Sequence, residues 1–323
     1  APCAKVLSTM IHQPVLMAPD CVGPAVRSMV HSLKPGEILL LENLRFHPGE
    51  EDPEKEPSFA KELSSSGDFY VNDAFGAAHR AHASIVSVPK YFPGKCAAGF
   101  LMEKEISTLS ALLQHPKRPF YALIGGAKIS TKIGVIKNLL NLVDALFLGG
   151  GMTYTFLKAQ GIEIGDSIYE EAELETAHQI LSLAKKKKFS LYFPSDLVIA
   201  QKFSNDAPRK IVPTNEGIPP GWRGMDIGPQ TIRDWSTVLK NGETIFWNGP
   251  LGVFEMPHFA IGTQSIAEFL AHSTAKTVVG GGDSIAAVQQ MGLQNQFTHL
   301  STGGGASLEF LEFGHLPGID ALS

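Results

Sequence analysis

Cysteine is scarce in this chain: Cys3, Cys21 and Cys96 are the only three among 323 residues, and no two of them form a C-x-x-C pair. That spacing argues against a disulfide frame or a zinc site, suits a reducing compartment, and points to the cytoplasm. Long apolar runs are missing as well. No stretch approaches about 18 residues and no charged-then-apolar leader pattern is present, so neither a membrane span nor a secretory signal is expected. Charge of one sign is nowhere concentrated into an arm or block, and the net charge of −5 gives no reason to expect a nucleic-acid or membrane partner. The one run, Lys185–Lys188, closes a helical pattern and reads as a solvated last turn that suits the helix dipole.

A further absence is local. From Gly125 to Val143 there is no Asp or Glu, although Lys128, Lys132 and Lys137 fall there. Lysines at i and i+4 on one helix face repel by roughly 0.2–0.5 kcal/mol, and a helix start is the wrong end of the dipole for a cation. An anion brought by a ligand resolves both. Dinucleotide and P-loop fingerprints are lacking too. GGGMTYTF and GGGDSIAA have no third glycine, and no G-x-x-x-x-G-K-[ST] occurs, which excludes a standard dehydrogenase and a P-loop NTPase.

What is present is an alternation of short β-branched or aromatic runs with helical patterns: VLMA, ILLL, FYV, YALI, ALFL, LYF, TIFW, TVV and THLS. Runs of three to five apolar residues bounded by turn signals read as strands buried on both faces, hence α/β with parallel sheets. At this length two domains are expected. The helical stretch Glu103–Leu113, bracketed by FPGK and HPKRP, reads as the connector between a first domain ending near Gly99 and a second beginning after Lys117. Residues 200–228, rich in Pro, Gly and Asn, read as one long excursion of the kind that carries function.

Five turns share one design, an apolar strand followed by glycines and a helix: IGGAK, LGGGMT, WNGPLG, VGGGDS and STGGGAS. Without Cβ a turn lets a ligand approach, and a following helix aims free N–H groups at it. On one edge of a parallel sheet such turns point to a phosphate-rich ligand such as a nucleotide. Asp283, in VGGGDS, reads either as a helix N-cap or as a carboxylate for magnesium carried on phosphates.

With these residues aligned, the chain resembles phosphoglycerate kinases. The matching stretches run in family order: LLENLRFHPGEE, VNDAFGAAHRAHAS, GFLMEKEI, GGAKISTKI, WNGPLGVFE, GGGDS and STGGGASLEFLE. The resemblance implies two Rossmann-like three-layer domains: a phosphoglycerate-binding one over 1–99, joined by a hinge helix over 100–116 to a nucleotide-binding one over 117–305. The tail, 306–323, is expected to return to the first domain. It also implies a monomer that uses Mg-ADP or Mg-ATP to move phosphate to and from 3-phosphoglycerate. By motif, Lys132 would stabilise the transferring phosphoryl group, with Lys128 beside it on the nucleotide phosphates. Gly281 and Gly282 would supply N–H groups, Gly282 as a catalytic residue as well, Asp283 would hold the Mg-nucleotide and Ser284 would touch its phosphates. Glu255 would take the ribose with Asn248 and Pro250 shaping that wall, and Gly126, Gly149, Gly150, Gly224 and Met225 would line the adenine slot. Arg45, catalytic as well, and Arg80 would grip phosphoglycerate. From the residues alone, Arg45 reads equally as a surface partner of Glu42 or Glu50. His79 and His82 flank Arg80, but the pattern supplies no further ligand for a metal.

The V-D-F-N-V-P-like strand, the arginine-bearing helix and the S-H-L-G-R-P-like turn with which family members open do not occur. The chain opens with Ala1 inside a helical pattern. The sequence is therefore expected to lack about the first 80 residues of the family pattern and to bare edges of its first sheet, with nucleotide binding kept and little kinase turnover. The alternatives are a non-catalytic ATP/ADP-binding module and a different α/β kinase or dehydrogenase using the same crevice.

Overall fold

In the computed structural model, which describes residues 2–323, the chain divides into two units, 1–104 with 315–323, and 105–314. The first unit opens with helix Pro2–Ile11 and has four short strands, β1 (Val15–Met17), β2 (Ile38–Leu40), β3 (Tyr70–Asn72) and β4 (Cys96–Ala98). They form two separate parallel pairs, β1 with β2 and β3 with β4. Leu16, Phe69 and Val71 are exposed. The core of this unit lies instead under its helical turns, where Cys21, Phe59, Ala83, Val88 and Phe92 pack together. The chain end joins it through Gly318, whose N–H donates to the Ala78 carbonyl at 2.8 Å. A Cβ on Gly318 would lie 2.9 Å from the Ala78 Cα, so only glycine allows that approach.

In the second unit the strands are β5 (Phe120–Ile124), β6 (Ala145–Leu148), β7 (Ser190–Tyr192), β8 (Asp196–Ala200), β9 (Arg209–Pro213), β10 (Arg223–Ile227), β11 (Thr244–Asn248), β12 (Lys276–Gly280) and β13 (His299–Ser301). Six of these build one sheet in the order β13-β12-β11-β5-β6-β7, parallel throughout. Every residue of β5, β6 and β11 is buried, as continuous apolar runs covered on both faces require. Phe147 stacks on Tyr192 at 4.6 Å and meets Trp235 edge-on at 5.4 Å. The first strand, β5, lies in the middle of the sheet. Its successor β6 lies on one side and β11 on the other, so the chain reverses its direction of travel between β5 and β11, where α/β sheets open a ligand crevice.

Three expectations change here. All nine predicted runs are strands, but the supposed excursion over 200–228 holds much of a second, antiparallel sheet, β10-β8-β9. Its strands RKIVP and RGMDI mix charge, proline and glycine and leave one face half open, so they carry neither alternation nor an apolar run. The connector helix spans Phe100–Gln114, and the unit boundary falls inside it, between Lys104 and Glu105. Helix Gly305–Phe313 packs on helix Ile133–Leu142 in the second unit, so only 315–323, not the whole stretch from Ala306, goes with the first.

Glu105 ties the second part of that helix to its own unit. Its fully buried carboxylate accepts from His299 Nε2 at 2.8 Å, from the Thr302 N–H at 2.6 Å and from Thr302 Oγ1 at 2.9 Å. Desolvation pushes its pKa up, but these hydrogen bonds outweigh it and hold the group below the ordinary glutamate value of 4.5. A depressed folded-state pKa contributes stability that is present above the unfolded value and fades as pH falls through the folded one. Glu105→Gln is therefore expected to cost about 1–3 kcal/mol near neutrality and to flatten the acid limb of stability below about pH 5, measured by denaturant unfolding across pH.

Candidate active site

All five glycine turns leave the carboxyl ends of strands in the one parallel sheet, β5, β6, β11, β12 and β13. A helix follows closely after only three of them, starting at Thr153, Gly282 and Gly305. After IGGAK the helix begins only at Ile133, and Lys132, at φ −132° and ψ 2°, is the residue before it. Lys128 lies in the preceding loop, so the two lysines do not share a helix face, contrary to expectation. Ile129, which is buried, and the exposed Ser130 lie in the loop that precedes the helix. Glu170 accepts from the Ser130 N–H at 3.0 Å and from its Oγ at 2.5 Å. Glu170 also interacts electrostatically with Lys128, and the Glu312 carboxylate lies against Gly134 in the helix's first turn. Acids distant in sequence thus supply part of the negative charge that the local sequence lacks.

Lys132 is the centre of the arrangement. Its Nζ donates to the Gly125 carbonyl and to Asn248 Oδ1, each at 2.6 Å. Those acceptors end β5 and β11, so the amine bridges the crevice at the reversal point. Burial pulls its pKa from 10.5 down to about 8, with Asp283 opposing the shift. No carboxylate hydrogen-bonds the amine; its partners are a carbonyl and an amide.

The surrounding turn has no room for larger residues. Gly249, at φ 93°, would carry a Cβ 2.7 Å from the Lys132 amine. Its N–H donates to Ser284 Oγ at 2.6 Å, and Ser284 is fully buried. The Ser284 hydroxyl thus braces the helix after β12 against the turn after β11, leaving the backbone N–H groups of Gly282, Asp283 and Ser284 free of intrahelical partners at the helix start. Gly281, at φ 93°, is the N-cap of helix Gly282–Gln290, and Asp283 is in its first turn without a capping bond. The N-cap reading of Asp283 is therefore replaced by that of an exposed carboxylate near the amine.

A cleft of about 250 Å³ opens beside these groups, and Gly126, Gly150, Met225, Pro250, Glu255 and Asp283 line it together with Gly224. Gly149 does not; a Cβ there would press on Leu251 at 2.6 Å, so its smallness serves packing. Lys132, Asn248, Gly281 and Ser284 do not line it but meet around the Gly249 turn, next to the lining residues Gly126 and Pro250, and Lys128 is exposed in the preceding loop. The sequence reading missed the apolar walls, Tyr154, Ile168, Phe203, Leu251 and Val253, and the cation Arg223. Phe203, 61% exposed, is the one with a signal: a large aromatic left open in a polar segment. Behind the wall, Asp226 accepts from the N–H groups of Gly262 and Ile227, and burial pushes its pKa up to about 8.

Arg45 and Arg80 belong to the first unit and are both exposed. Arg45 pairs with neither expected glutamate; its Nε lies 3.4 Å from Glu51 Oε1. Glu50 is buried and accepts from the N–H and Oγ of Ser84, with His82 Nδ1 at 3.8 Å. Among the described residues no helix is long and apolar enough to cross a membrane.

The family model described as phosphoglycerate kinase matches residues 1–314. The phosphoglycerate kinase of Moorella thermoacetica is 53% identical over 322 residues, covering 100% of this chain and 81% of the relative. That of Chlamydia felis is 52% identical over 324 residues, covering 100% and 80%. Among solved structures, the phosphoglycerate kinase of Coxiella burnetii superposes with a TM-score of 0.85 at 39% identity, covering 100% of this chain and 80% of its own. That of Pyrococcus horikoshii gives 0.86 at 33% identity, covering 99% and 81%. The match over 1–314 lends no support to the expected loss of the family's opening segments, and the chain spans about four-fifths of its relatives' length.

The depressed pKa makes Lys132 separable from the other lysines. Amine acylation followed by mass spectrometry across pH is expected to give Lys132 a labelling midpoint near 8, against about 10.4 for exposed lysines. Adding inorganic pyrophosphate is expected to move it upward, because an anion favours the charged form; a midpoint unmoved from the ordinary value contradicts the buried, acid-free setting.

Proposed function

The chain belongs to the phosphoglycerate kinase family, and from that membership we propose how its residues serve phosphoryl transfer between the C1 acyl phosphate of 1,3-bisphosphoglycerate and ADP. The reaction asks little covalent work of the protein; alignment and charge neutralisation in a dry site supply most of the effect. The observation that carries the assignment is the Lys132 amine, bound only to neutral acceptors at the reversal point of the sheet.

In this reading Lys132 leaves its carbonyl partner to meet the transferring phosphoryl group, where charge accumulates at the transition state. The N–H groups of Gly281 and Gly282 receive the nucleotide phosphates at the start of their helix, with Ser284 contributing through its backbone and Lys128 from the loop. Gly126 and Gly150, with Gly224 and Met225, form the slot for the base, Gly149 serving only the packing behind it, and Glu255 takes the ribose hydroxyls beside Asn248 and Pro250. Arg45 and Arg80 hold the carboxylate-bearing phosphate ester on the first unit, Arg45 exchanging Glu51 for it. Asp283 offers one exposed carboxylate next to the phosphate position, the donor set that suits magnesium bound mainly through substrate phosphates. Such an ion, when bound, neutralises phosphate charge. The enzyme of this reading is a cytoplasmic monomer that handles nucleotide and phosphoglycerate and has no nucleic-acid or membrane partner.

Two measurements test it. Calorimetry with MgADP on folded protein is expected to show one site per chain; absence of heat overturns the nucleotide reading. Lys132→Ala is expected to lower kcat in a coupled assay by on the order of 10²–10³, while the Kd for MgADP changes by less than about tenfold. Equal losses in both would assign the amine to ground-state binding.

A further inference from the structure

We propose that Asp20, Cys21 and His47 form a site for a soft divalent cation of the zinc class, lying wholly within the first unit. The carboxylate oxygen, thiol sulfur and ring nitrogen of these residues all fall within 4.8 Å of one another. Spacing along the chain conceals the group: the turn after β1 brings Asp20 and Cys21 to a histidine more than two dozen residues on.

The imidazole is held as a ligand is held. Its Nε2 faces Asp20 Oδ1 at 2.8 Å, while Nδ1 lies 3.2 Å from Glu56 Oε1. A carboxylate on the far ring nitrogen is the usual second partner of a metal-bound histidine, fixing tautomer and orientation. Glu56 is itself positioned by the Gly49 N–H at 3.4 Å, and the ring is stacked on Phe59 at 5.1 Å. On the other side, the Cys21 N–H donates to Asp20 Oδ1 at 2.6 Å, setting carboxylate and thiol side by side. Cys21 is fully buried in the apolar cluster of Phe59, Val88 and Phe92, whereas the Asp20 side chain is 51% exposed and leaves an entry path.

Tetrahedral zinc takes S, N and O ligands at about 2.0–2.3 Å, which puts ligand atoms roughly 3.3–3.6 Å apart. The three atoms need to rearrange by about 1 Å, with water as fourth ligand. Coordination replaces the proton shared by His47 and Asp20 and the thiol proton of Cys21, both released to solvent. A thiolate with imidazole selects zinc or cobalt over magnesium, so this site is chemically distinct from that of Asp283, which has no sulfur ligand.

Cobalt(II) titration of the full chain without nucleotide tests the assignment. The expected result is one thiolate-to-cobalt charge-transfer band per chain, displaced by zinc and unaffected by excess magnesium. Cys21→Ser is expected to abolish the band and Cys3→Ser with Cys96→Ser to leave it. His47→Asn, which keeps the thiol, covers the case in which Cys21→Ser fails to fold, and is expected to abolish the band too. Glu56→Gln is expected to weaken cobalt affinity about 10- to 100-fold, as loss of the partner on the far ring nitrogen does elsewhere. No band, or a band that survives Cys21→Ser, means that the three residues are only a proton-bridged cluster and overturns the proposal.

Discussion

The bond pair from the Lys132 amine to the Gly125 carbonyl and the Asn248 amide oxygen depends on one pairing, that of β5 with β11. Their register sets Ile124 opposite Asn248, so the strands end level and their turns face each other across the amine. A slip by one residue would turn Asn248 to the other face of the sheet and leave a buried ammonium without acceptors. The next strand completes the lock, because Ser284, in the first turn of the helix that follows β12, holds the Gly249 N–H. Three strand ends are thereby fixed around a single positive charge, and the glycines are there because no Cβ fits between them.

Such a site is pre-formed but electrostatically unfinished. Two neutral oxygens solvate the ammonium, which explains why burial dominates its titration and why an arriving anion changes it. Glu170 and Glu312 temper the positive charge of the loop and helix start, but neither carboxylate is bonded to the amine. The arrangement is suited to a ligand carrying several negative charges, and it agrees with the family membership, since stabilising a phosphoryl group in flight requires charge of this kind more than it requires a base or a nucleophile.

How much of this was legible beforehand followed from how each segment earns its stability. Strands buried on both faces must be apolar throughout, so the runs of the six-stranded sheet could be read, and the three of the first unit were found by the same apolar signal although they are only partly covered. The glycine turns could be read because close approach demands glycine. The antiparallel β8–β10 sheet could not: its half-exposed strands tolerate Arg, Lys, Asp, Gly and Pro, and their pairing is long-range information. Lys128 was misplaced because helix period says nothing about where a helix starts, which here was decided by Ile129 turning inward and by Glu170 reaching Ser130. Arg45 chose Glu51 for a similar reason, as a short helical turn over Pro48–Glu51 buries Glu50 and exposes its neighbour. The Asp20–Cys21–His47 cluster was invisible because ligand spacing rules describe local loops, and this set is assembled by the fold.

The β8–β10 sheet separates two tasks. Gly224 and Met225, one wall of the cleft, come from an antiparallel strand with a register irregularity between Gly224 and Asp226, whereas the glycines around Lys132 come from the parallel sheet. Under the proposed roles, one wall of the base slot is inherited from a different piece of architecture than the turns that handle the phosphates. Substitutions within β10 can then retune which base is accepted while the transfer chemistry drifts little, a division of labour that makes one half of the cleft a free variable for natural selection and the other a fixed one.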